Sequence, residues 1–138
     1  MHRMSSARND ALDALDDALI TVRRSLSRPG YVRRFMAALG EQVELGTYRT
    51  VRAVSRLDEP EQGVGSVAEL LAVDASTASR LVDRAVAAGY VAREPAPDDR
   101  RRVRLELTAQ GESLLERATA ARRMLLGDVT VALHLQLI

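Results

Sequence analysis

Eight side chains in the second half of the chain have the types and spacing to bind a polyanion: Ser76, Thr77, Ser79, Arg80 and Arg84, then Arg100, Arg101 and Arg102. Hydroxyls are short enough to approach phosphates or base edges. A guanidinium can donate two parallel hydrogen bonds to O6 and N7 of guanine. The run Arg100-Arg101-Arg102 has nothing apolar to pack against and repels itself. Such a cluster suits phosphates or an electronegative minor groove. Asp98 and Asp99 beside it are expected to orient the guanidinium groups. Each group also has a plainer reading: a solvated polar helix face for the first, and a loop of mutually neutralising Arg and Asp for the second.

These side chains need a helix and a hairpin to hold them. From Ala75 to Ala88 the residues Ala78, Leu81, Val82, Ala85 and Val86 fall on one side of a helix, opposite Ser76, Thr77, Arg80 and Arg84, with Ser79 at the margin. Asp74 suits its N-cap and Gly89 its end. Upstream, Ser66-Val67-Ala68-Glu69 has the pattern of a capping box opening a short helix to Ala72. Only Val73 and Asp74 then separate two helices, which forces a steep crossing, the geometry of a helix-turn-helix. After Gly89 the pattern alternates. Tyr90–Glu94 and Val103–Leu107 form two strands around the polar tip Pro95–Arg101. Thr108 caps a last helix with the stripe Leu114, Ala118, Ala121 and Leu125, flanked by Leu115. The expected fold is mainly α with a small β-hairpin wing: a winged helix-turn-helix with helices added at both ends.

At the N-terminal end Leu12, Leu15, Leu19, Val22 and Leu26 make a heptad-like stripe that Pro29-Gly30 terminates. The stripe fits a dimer seam and an intramolecular core equally well. Helices are expected over about Val32–Leu45 and Thr47–Leu57, with a break at Gly46, and a loop over Asp58–Gly63. Tyr31, Phe35 and Tyr48 fit either plain core or the wall of an aromatic ligand pocket.

Composition narrows the chemistry. The chain has 138 residues, enough for one domain, with 46% hydrophobic but only 3% aromatic residues, so its core must be Ala, Leu and Val. All 20 basic residues are Arg, and the net charge is +1. Residues 57–75 carry −5 and residues 76–104 carry +3, so the basic stretch coincides with the helix and hairpin above. With no cysteine there is no disulfide, thiolate metal site or thiol switch. His2 and His134 stand near opposite ends, and neither a nucleophile elbow nor a Gly-rich phosphate motif occurs. No catalytic residue, metal or cofactor is expected, which disfavours a small enzyme on this scaffold. The N-terminus has no apolar signal core and no run is long enough to span a bilayer, so a cytoplasmic protein with no membrane partner is expected.

Residues 66–111 resemble the multiple-antibiotic-resistance regulator (MarR) family of winged-helix repressors. The resemblance rests on Val67-Ala68-Glu69-Leu70-Leu71, Ser76-Thr77-Ala78-Ser79-Arg80-Leu81-Val82-Asp83, Gly89-Tyr90-Val91-Ala92-Arg93, Asp99-Arg100-Arg101 and Leu107-Thr108-Ala109-Gln110-Gly111. It implies a homodimer on a pseudo-palindromic double-stranded DNA operator. Residues of about 5–30 and 108–138 would supply the dimerisation helices, and about 47–107 the DNA-binding lobe. Recognition helices would enter successive major grooves, wings the flanking minor grooves, and a small aromatic ligand could bind between base and lobe. The chain departs from the family pattern at Ala85, where Leu is usual, at Val86, where a polar residue is usual, and after Leu126, where the usual final helix is expected to be short, altered or absent. A winged-helix protein-interaction module without DNA binding is the alternative in another class.

Overall fold

Pro29, Gly40 and Gly46 shape the first half of the chain, each for a different reason. The computed structural model describes residues 2–58, 63–97 and 99–137. Its elements are α1 (His2–Leu26), α2 (Pro29–Leu39), α3 (Leu45–Ser55), α4 (Val64–Leu71), α5 (Ala75–Ala87), β1 (Val91–Pro95), β2 (Val103–Leu107) and α6 (Ala109–Leu137). This is the expected winged helix-turn-helix between long helices.

Pro29 does more than end α1. It opens α2, where its locked φ and missing N–H cost nothing, so α2 starts before the expected Val32. α2 ends at Gly40, whose φ of 110° is a left-handed value suited to glycine, and not at Leu45. The expected break at Gly46 is absent, because Gly46 lies in the first turn of α3. There the glycine matters for its size: a Cβ would meet Leu81 Cδ2 at 3.1 Å, so its absence lets α3 close on α5.

The capping box at Ser66 does not form. α4 starts at Val64 with Gly63 as N-cap and no side-chain cap, which puts Ser66 inside the first turn. Ala72 closes α4 in a left-handed conformation (φ 54°), and the turn to α5 is made by Ala72, Val73 and Asp74. Of the expected loop Asp58–Gly63, residues 59–62 lie outside the described residues.

The hairpin is antiparallel, pairing Val91 with Leu107, Arg93 with Leu105 and Pro95 with Val103. Leu105 is buried, Leu107 half-buried and Val103 exposed, so the strand's apolar face leaves the core towards the tip. Leu39, Val51, Val67, Val82, Val91 and Leu114 are fully buried and join α2 through α6 and the wing in one core. Leu114, Ala118, Ala121 and Leu125 of α6 face it as expected. α6 runs unbroken for 29 residues to Leu137, so the stretch after Leu126 continues that helix. On α1, Leu12, Leu15 and Leu19 are 53–59% exposed, while Val22 and Leu26 are half-buried. Within one copy the first three therefore have no core to fill.

Candidate nucleic-acid interface

α5 turns Ala78, Val82 and Ala85 inward, each completely buried. That fixes the opposite face: Ser76, Arg80 and Arg84 are exposed, and Thr77 and Ser79 are half-buried at its edges. Asp74 caps the helix, its Oδ1 accepting from the Thr77 amide and the Ser76 hydroxyl, both at 2.7 Å. The Thr77 amide above all, then the Ser76 hydroxyl, the Thr77 side chain and the Arg80 charge, hold the Asp74 carboxyl at about 2 instead of 3.8. The Ser76 proton is thus committed to the cap, so Ser76 meets a phosphate only by giving that bond up.

A carboxyl lowered on folding stabilises the fold above its ordinary value, and that contribution disappears as pH falls through the folded value. The first turn of α5 is therefore expected to loosen between about pH 4 and pH 2. Hydrogen exchange at the Thr77 amide reads this directly. In Asp74→Asn, which caps without a titrating group, the acid limb should vanish.

The two α5 arginines differ. Arg80 has no ion-pair partner among the described residues, whereas Arg84 Nη1 lies 3.9 Å from Glu44 Oε2 at the start of α3. Asp83 pairs with Arg93 of β1, and the Tyr90 amide donates to the Ala85 carbonyl (3.0 Å), so α5 and the wing are tied together. Asp83 and Arg93 stand in the motifs quoted above, but nothing in their spacing announces the pair. Glu44 lies some forty positions from its partner and carries no sequence signal.

At the tip Arg100, Arg101 and Arg102 are exposed. The turn is held by main-chain bonds, Ala96 N to Arg102 O (2.9 Å) and Arg102 N to Asp99 O (3.1 Å). Asp99 Oδ1 accepts from the Arg101 amide at 2.9 Å, so Asp99 acts here on the backbone of the wing, not on a guanidinium. Asp98 lies outside the described residues. Ala96, read as part of a polar tip, is buried beneath the turn.

Where the wing meets α6, Thr108 joins the two. Its amide donates to the Tyr90 carbonyl (3.0 Å), its hydroxyl donates to the Gly89 carbonyl (2.5 Å), and the same oxygen accepts from the Gly111 amide (3.1 Å). Gly111 packs so close that a Cβ would lie 2.2 Å from the Tyr90 oxygen.

A cavity of about 510 Å³ opens between α1–α2, α3, α4 and α6. Tyr31 stacks on Phe35 (centroids 6.4 Å apart), and Phe35 meets Tyr48 edge-on (5.0 Å). These aromatics serve as core and as wall together. Arg49, Arg52, Arg56 and Arg122 line it beside apolar residues such as Leu26, Leu45 and Leu71, and Arg122 Nη1 donates to the Tyr48 hydroxyl. Sequence reading missed these arginines as lining residues, because helix phase alone does not show which faces converge. Among the described residues no three His, Cys, Asp or Glu side chains converge as metal ligands, and no helix is long and apolar enough to cross a membrane. The side chains of His2 and His134 lie outside the described residues.

Comparison with known proteins agrees with this geometry. Residues 43–102 match the model of the MarR family. The crystal structure of RV1404 from Mycobacterium tuberculosis is 27% identical, with 88% of this chain and 80% of that one covered and a TM-score of 0.66. Wild-type MarR from E. coli is 20% identical over 82% and 79% of the two chains, with a TM-score of 0.62. A variant of MepR from S. aureus bound to an oligodeoxyribonucleotide is 14% identical over 94% and 82%, with a TM-score of 0.58. Among curated proteins none matches. The matched segment spans α3 to the wing tip, the lobe that carries both basic elements, and over that lobe the chain is similar to the MarR family.

Proposed function

We propose that this protein is a homodimeric, sequence-specific double-stranded DNA-binding regulator of transcription, a ligand-responsive repressor working in the cytoplasm. The observation that carries the reading is the pairing of two exposed basic elements on one lobe: Arg80 and Arg84 on α5, and Arg100–Arg102 at the wing tip. In it Thr77, Arg80 and Arg84 approach bases, Ser76 and Ser79 approach phosphates or base edges, and the wing arginines enter a minor groove. The family model across the lobe and the oligonucleotide-bound MepR variant support the choice of DNA. The helices of about 5–30 and 108–138 form the dimer base, and about 47–107 the DNA-binding lobe. The arginine-lined cavity with its aromatic wall suits a small aromatic anion.

Selection of bound fragments from genomic DNA with the purified protein tests this. The expected return is a pseudo-palindrome with half-sites about one helical turn, roughly 10–10.5 base pairs, apart. No enriched motif and no salt-dependent binding to duplex DNA would leave the protein-interaction reading in its place.

The wing makes a separate expectation. Arg101→Ala should weaken binding to many sequences alike and flatten the plot of log affinity against log salt by about 0.9 per lost phosphate contact, about 1.8 for the two wings of a dimer. An unchanged slope with unchanged affinity would remove the wing from the interface.

A further inference from the structure

The exposed face of α5 has beside it one carboxylate that comes from another helix. Glu44 is the N-cap residue of α3, with extended backbone (φ −82°, ψ 147°), yet its side chain caps nothing. Its Oε2 lies instead 3.9 Å from Arg84 Nη1, with the side chains of Arg84 and Glu44 66% and 72% exposed. Gly46 allows this approach: with no Cβ to hold off Leu81, the start of α3 comes down on α5 within one turn of Arg84. The carboxylates of α5 and its cap are spent elsewhere, Asp74 on the Thr77 amide and the Ser76 hydroxyl, and Asp83 on Arg93. The basic face of α5 thus ends in a donor and an acceptor side by side. Their contact is longer than a hydrogen bond and open to water, so it stabilises the free protein little and is easily exchanged.

We propose that Glu44 is a base-reading residue, and that it and Arg84 together read one G·C pair in a fixed orientation. This deepens the DNA-binding reading and rests on it. In the major groove guanine presents two acceptors, O6 and N7, and its cytosine presents the N4 donor beside them. O6 and N4 are themselves hydrogen-bonded, about 2.9 Å apart. A guanidinium and a carboxylate side by side match that edge: Arg84 donates to guanine, and Glu44 accepts from the cytosine N4–H. Each charge finds a new partner as their own contact is given up. Other pairs fit less well. Reversing the pair sets Arg84 against the N4 donor and Glu44 against O6. An A·T pair, with adenine under Arg84, sets the thymine O4 acceptor against the carboxylate. A T·A pair keeps the order but gives Arg84 one acceptor where guanine gives two. Phosphates repel Glu44, so along the backbone the pair stays closed and Arg84 adds little to sequence-independent binding.

Motif selection with Glu44→Ala and Arg84→Ala beside the wild type tests this. Both variants are expected to blur the same single position in each half-site. A preference there of about tenfold for G·C should fall about threefold in Glu44→Ala and further in Arg84→Ala. Glu44→Ala should also bind duplex lacking the motif more tightly than wild type does. Its salt slope should be steeper by about 0.9 per copy, because Arg84 then meets a phosphate. Glu44→Gln keeps an acceptor oxygen without the charge, so it should steepen the slope equally and blur the position less. Both side chains are exposed, and thermal unfolding should be unchanged. A carboxylate that merely holds α3 in place would lower affinity evenly and leave the motif intact. That result overturns the proposal, as does a Glu44→Ala motif blurred where Arg84→Ala stays sharp, while a wild-type motif keeps the DNA-binding reading standing. A wild type with no motif overturns both.

Discussion

Arg80→Ala is expected to weaken specific DNA binding by about 1–3 kcal/mol and to relax the preference at one base position. The reason is geometric. Arg80 sits one and a half turns into α5, directly opposite the buried Ala78–Val82–Ala85 face, so its guanidinium leaves the protein on the face that the proposed function sets against a groove. Arg80 makes no ion pair with a described carboxylate, and its charge interaction with Asp74 is a longer-range one, so less is withdrawn from it than from Arg84 when it donates to a guanine. Arg84 differs, because Glu44 stands near its guanidinium and must be exchanged for DNA. Truncating Arg84 should therefore cost less than truncating Arg80. Motif selection with each variant decides the matter. An Arg80→Ala protein that returns the wild-type motif with wild-type affinity would show that Arg80 reads nothing.

Leu15→Arg combined with Leu19→Arg should convert the protein from dimer to monomer and remove most of its DNA affinity. Each leucine is worth about 1.5–3 kcal/mol when an apolar surface covers it, and each arginine would bring an unpaired charge into the seam. The expected weakening of dimerisation is at least a thousandfold, about 4 kcal/mol. One helix-turn-helix reads only a few base pairs, so a monomer loses the second half-site along with the seam. The lobe should stay folded, because Leu15 and Leu19 are more than half exposed in the single copy and touch none of its core. Sedimentation, thermal unfolding and DNA binding on one sample separate these effects. Wild-type protein that is monomeric at micromolar concentration and still holds palindromic DNA tightly would rule out the dimer.

What could be read from the residues alone was whatever depends on near neighbours. The start of α5 at Asp74, the strand Val103–Leu107 and the Thr108 cap each lie within a few positions of the groups they act on, although Val103, expected on the buried side, is exposed. Errors came where one residue type serves two ends. Gly40 and Gly46 are identical on paper. The first is needed for its dihedral angle and the second for its lack of a side chain against Leu81, and the difference belongs to α5, thirty-five residues further on. Ser66 had the right spacing for a capping box, but the helix had already started at Val64 behind Gly63. Ser76 was legible as exposed, yet the direction of its proton depends on Asp74. The cavity was legible only as three aromatic residues, because its arginines come from α3 and α6, whose meeting no local pattern encodes.

The bonds around Thr108 have a consequence for what kind of ruler this lobe is. The last turn of α5, the root of the wing and the first turn of α6 meet at one side chain, with Gly111 packed against the Tyr90 carbonyl so tightly that no slack remains. Helix and hairpin are then the two jaws of a fixed-gauge caliper. In the DNA-binding function proposed above, whatever lies between them would need the right span, and stretches whose grooves have the wrong phase or stiffness would be refused even where every contacted base is correct.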